Sequence, residues 1–78
     1  MISSNESKTA RWLLNWSQYD VARAAGVDLH LMMDFEVGRE IPDEDRVKIK
    51  QALEAAGVEF APDGVRMRAR ENSFVGRS

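Results

Sequence analysis

Residues 17–38, SQYDVARAAGVDLHLMMDFEVG, constrain the fold of this chain more tightly than any other stretch. Ser17 and Asp20 have the spacing of a capping box, in which a hydroxyl and an acid satisfy the free backbone N–H groups at a helix start. Val21, Ala22 and Ala25 give the helix that follows a small apolar face. Ala25-Gly26-Val27 then predicts a tight turn, because glycine takes a positive φ without steric penalty where a helix ends. Val27 fills the angle between two helices, and Asp28 is suited to cap the second, which runs to about Glu36 and stops near Gly38.

The rest of the chain surrounds this pair with a minimal scaffold. Seventy-eight residues make one small domain. A chain of that size buries only about 60% of its unfolded surface, so each core side chain matters. An S-x-x-E capping box at Ser3 and Glu6 starts a first helix that runs to about Asn15 and buries Ala10, Leu13 and Leu14. After the Gly38–Pro42 connection, in which Ile41 turns inward, Asp43 caps a fourth helix with Glu44 and Asp45 in its first turn. Val47, Ile49, Leu53 and Ala56 form its apolar stripe, and Gly57 ends it. Two alternating segments around Pro62-Asp63-Gly64 predict a β-hairpin, with Val58, Phe60, Val65 and Met67 on one face and Glu59, Arg66 and Arg68 on the other. The expected fold is mainly α: a bundle of about four helices with a C-terminal β-hairpin over residues 2–68, followed by a flexible tail over 69–78.

Composition narrows the function classes. The absence of cysteine excludes a disulfide framework and a thiolate metal site. No apolar run approaches the roughly 20 residues of a membrane span. MISSNESKTAR lacks the apolar segment of a signal peptide, so a cytoplasmic protein is expected. His30 is the single histidine and has no ligand spacing around it; the expectation is no metal and no cofactor. No nucleophile–base pair and no glycine-rich phosphate loop is evident, and no enzyme activity is expected. Trp12 and Trp16, four apart, read as structural, with Trp12 partly exposed beside Tyr19.

Charge is unevenly spread. Between Ser17 and Asp45 eight acids face only Arg23 and Arg39, a net of −6, whereas Arg66–Ser78 carries four arginines against Glu71, a net of +3. Affinity for DNA depends heavily on Lys and Arg neutralising phosphates, and the helix pair is charged to repel them.

Along nearly its whole length the chain resembles the Xre/Cro-type helix-turn-helix family. The resemblance rests on Ala10–Gln18, Val21-Ala22, Ala24–Val27, Phe35-Glu36 and Gly38, with Gln51–Phe60 similar to a proteobacterial variant that adds a hairpin. It implies a transcription regulator in which Gln18 contacts the DNA backbone and the outward positions of the third helix contact bases. A narrower similarity is to small QseM-type antiactivators of integrative and conjugative elements. Those bind transcriptional activators, among them LuxR-type quorum-sensing regulators, and block transfer.

A base-reading helix shows Arg, Lys, Gln, Asn, Ser or Thr to the groove. Here the positions hold Leu29, His30, Met33, Asp34 and Val37. Leu29, Met33 and Val37 are spaced i, i+4, i+8 on one side of the helix. Either the helix buries two faces, or the row docks a protein partner, or DNA is bound despite it. The expected function is an antiactivator that uses these five residues on a transcriptional activator protein, as a monomer or weak dimer. The alternative is a DNA-binding repressor that dimerises and uses Gln18, His30 and the arginines of the hairpin and tail, among them Arg66 and Arg68. The arginine row Arg66, Arg68, Arg70 is a solvated hairpin edge, or meets an acidic partner or phosphates.

Overall fold

A computed structural model of the chain describes residues 1–68. Four helices, α1 (Ser4–Leu14), α2 (Gln18–Ala25), α3 (Leu29–Glu36) and α4 (Asp43–Ala55), precede an antiparallel hairpin of β1 (Val58–Ala61) and β2 (Gly64–Met67). The expected tail, with Arg70 and Arg77, lies outside the described residues.

Helix starts follow the local chemistry unevenly. Ser3 and Ser17 each build a complete capping box. Ser3 Oγ accepts from the Glu6 N–H at 3.1 Å while Glu6 Oε1 accepts from the Ser3 N–H at 2.9 Å. Ser17 and Asp20 do the same at 3.1 and 2.9 Å. Asp28 occupies the N-cap of α3, but its side chain makes no capping bond. The expected Asp43 cap is displaced by one residue: Pro42 holds the N-cap, and Asp43, Glu44 and Asp45 all fall in the first turn of α4, where the helix dipole favours acids. Gly26 closes α2 with φ +73°, as the turn requires.

The core is Ile2, Ala10, Val21, Ala22, Met32, Phe35, Ile49, Leu53 and Val58, with Leu14, Trp16, Val27, Leu29, Ile41, Phe60 and Val65 among those packed around it. Two expected core residues are instead exposed, Leu13 and Val47. At about 100° per residue, Leu13 falls beyond the edge of the stripe formed by Ser7, Ala10 and Leu14, and Val47 lies opposite Ile49. Helical spacing from Ile49 and Leu53 leads back to Arg46, whose guanidinium sits 5.6 Å from the Phe35 ring centroid and donates to the Ile2 carbonyl at 2.8 and 3.3 Å. A cation thus occupies the position expected of an aliphatic residue.

The hairpin pairs Val58 with Met67, Glu59 with Arg66, Phe60 with Val65 and Ala61 with Gly64, which gives the expected faces. Gly57, at φ +111°, joins it to α4, a backbone conformation that favours glycine; a β-carbon there would meet only the end of the exposed Met67 side chain, 3.3 Å away. Among the described residues no helix is long and apolar enough to cross a membrane.

Candidate functional site

The outward side of α3 depends on a carboxylate on its inward side. Glu36 is 2% exposed, and both its oxygens are engaged. Arg11 of α1 donates from Nε to Oε2 at 3.0 Å and from Nη2 to Oε1 at 2.9 Å, a bidentate pair. Ser7 Oγ, also of α1, donates to Oε2 at 3.3 Å, and Gln18 Nε2 of α2 donates to Oε1 at 3.1 Å. Arg11 Nη1 completes the set on the Trp16 carbonyl at 3.2 Å. One acid therefore ties α1, α2 and α3 together, and no buried side-chain polar atom among the described residues is left without a partner. The sequence reading missed this network. Gln18, which the resemblance implies contacts the DNA backbone, spends an amide hydrogen on Glu36 instead of leaving the whole side chain free.

With α3 fixed this way, its outward residues separate. Leu29 is half-buried and packed against the core, Met33 is 43% exposed and Val37 is 71% exposed. The expected uniform row is thus a spiral. Steps of four residues overshoot the 3.6-residue turn by about 40° each, so the row leaves the core at Leu29 and reaches solvent at Val37. Leu29 belongs to the scaffold more than to the free surface. The side chain of Tyr19, 56% exposed, stands at the first turn of α2, which the Gln18–Glu36 contact sets beside the last turn of α3.

Polar groups frame the exposed part. His30 is exposed. Asp34 accepts from Arg39 Nη1 at 2.9 Å, a solvent-facing pair worth little to stability but enough to engage one of the two cations of the helix-pair region. Asp28 and Glu40 are exposed at the two ends of α3. Among the described residues no three His, Asp or Glu side chains gather as a metal site.

The arginines lie elsewhere, on the hairpin. Arg66 Nε donates to Glu59 at 2.9 Å and Nη1 to Asp63 at 3.4 Å. The hydrogen bond to Glu59, then the charges of Glu59 and Asp63, hold its pKa above the ordinary arginine value. Arg68 Nη2 donates to the Glu54 carbonyl at 3.4 Å. Both arginines are exposed, and both are engaged by the fold's own oxygens. Trp12 is exposed, and Trp16 is packed on the core. No protein-family model matches the chain, and no curated protein matches it.

Proposed function

We propose that this protein is a protein-binding transcriptional regulator of the antiactivator kind, which docks a transcriptional activator through the outward surface of α3 and blocks its action. One observation carries the reading. Where a DNA reader shows donors to phosphates and bases, the free part of α3 shows Met33 and Val37 beside Asp34. Apolar surface of this kind favours association when covered. An apolar centre is also where binding energy concentrates at interfaces. Acids repel a polyanion. The bond from Gln18 to Glu36 and the internal bonds of Arg66 and Arg68 weigh in the same direction, since three of the residues named for the alternative already have partners within the fold. The activator is proposed to belong to quorum-sensing control of conjugative transfer. The protein is proposed to act in the cytoplasm, as a monomer or weak dimer, without catalysis or a cofactor.

Affinity capture from the native cell with mass spectrometry tests the reading, run in parallel with a Met33→Lys, Val37→Ser variant and a thermal melt of each protein. Wild type is expected to retain a transcriptional activator that the folded variant does not. Equal retention by the folded variant would remove α3 as the docking surface.

A further inference from the structure

The hairpin leaves one edge of its sheet open. The Arg68 N–H donates to the Gly57 carbonyl at 2.7 Å, and together with the strand register this fixes the phase of the ladder. Antiparallel pairs alternate between bonded and non-bonded, so Glu59–Arg66 and Ala61–Gly64 exchange bonds while Val58–Met67 and Phe60–Val65 do not. The backbone N–H and C=O groups of Val65 and Met67 therefore point away from β1. No backbone bond among the described residues reaches them from outside the ladder. Buried backbone groups are almost always paired, so groups left in this way face water. β2 is also the more exposed strand: Gly64, Arg66 and Met67 are exposed and Val65 is half-buried, whereas β1 packs against α4 and begins with the buried Val58. Open edges are commonly blunted by lysine, proline or a bulge, and β2 has none of these. Its one charged side chain, Arg66, is drawn onto Glu59 and Asp63 of its own hairpin at 2.9 and 3.4 Å.

We propose that a second copy of this chain pairs with this edge, β2 antiparallel to β2, so that two hairpins form one continuous sheet. The strand is its own complement. Around a two-fold axis at Arg66, Val65 of each copy lies opposite Met67 of the other, and their outward N–H and C=O groups bond. The pairing gives Met67, 42% exposed, an apolar neighbour. Charge permits it: from Val58 to Arg68 two arginines balance Glu59 and Asp63, so the hairpin is neutral and does not repel its copy. Across the axis Arg66 meets Arg66, and the two acids that each holds offset that repulsion. A neutral edge offers a charged partner strand nothing to recognise. An isolated two-stranded sheet is marginal, and more strands support one another. The contact is short, so the dimer is a weak one. It uses no residue of α3 and stands apart from the docking of an activator.

Sedimentation and nuclear magnetic resonance of the full chain over about a hundredfold range of concentration test the proposal. The mean mass is expected to rise toward that of a dimer while the amides of Val65, Arg66 and Met67 shift. In a mixture of labelled and unlabelled protein, intermolecular proton contacts should join β2 of one copy to β2 of the other. Met67→Lys places a cation on the edge at an exposed position, and it should weaken self-association about tenfold or more with an otherwise native spectrum. Val65→Pro removes an N–H that the fold itself does not use, and it should have the same effect. A mass that stays monomeric with unmoved β2 amides would overturn the pairing. So would undiminished dimerisation of both folded variants, or concentration-dependent shifts confined to another face, either of which assigns the dimer to a different surface. Shifts at β2 that depend on deleting residues 69–78 and not on concentration would also overturn it, assigning the edge to the end of the same chain.

Discussion

At the scale of single residues, Glu36 decides the orientation of α3. A carboxylate removed from water needs full compensation, and it has four donated hydrogen bonds from Ser7, Arg11 and Gln18. Removing one partner strands the charge. Arg11→Met is expected to destabilise the protein by about 3–5 kcal/mol in urea or thermal unfolding. Replacing both, as Arg11→Met with Glu36→Leu, should recover most of that loss, because an apolar pair needs no such compensation. A wild-type melt for Arg11→Met alone would show that the network contributes little. The signal for this network was present in the sequence, outside the apolar pattern. Ser7 and Arg11 are four apart on the stripe that holds Ala10 and Leu14, and Glu36 adjoins Phe35 and follows Met32 by four. Polar residues recurring at core spacing on two helices point to each other. Apolar pattern reading sees only the hydrophobes between them.

At the scale of elements, the caps and stripes divide into those that bond and those that only occupy a position. Ser17 accepts a backbone N–H and Asp28 does not, although both stand at N-caps. Ser17→Ala should therefore cost about 1 kcal/mol in urea unfolding, and Asp28→Ala measurably less. A similar contrast applies to α4. Leu53 is fully buried, and Leu53→Ala should cost about 2–5 kcal/mol, whereas Val47, 41% exposed, should tolerate alanine within about 0.5 kcal/mol. All six elements and the two faces of the hairpin were legible, because capping boxes, Gly26, Gly57 and the alternation around Pro62-Asp63-Gly64 are local signals. The misplaced residues, Leu13 and Val47, share a cause: each is apolar but off-phase, and hydrophobicity was weighed above helical angle. The spiral of Leu29, Met33 and Val37 follows from the same angle, with its consequence at the surface instead of the core.

At the scale of the whole molecule, charge decides more than shape. A net of −2 with the negative excess on the helix pair predicts no discrete complex with duplex DNA in a gel-shift titration of the purified protein at physiological salt. Nanomolar, sequence-specific binding would reverse the functional reading. The same distribution gives the captured activator a signature: it should be released by raised salt, and retention at high salt would argue that charge contributes little to the docking. The candidate site was legible as to which residues reach the surface of α3, apart from Leu29. The engagement of Gln18, Arg66 and Arg68 was not, because a polar side chain's partner depends on tertiary neighbours that no local spacing encodes.

Ile2 is buried, and its carbonyl accepts both bonds from Arg46, forty-four positions further along. That contact sets an order of events during synthesis. At about 5–20 residues per second, roughly two to nine seconds pass between the emergence of the two partners. For that interval the first helix has no seat for its leading residue, and the bottom of the core stands open until α4 arrives.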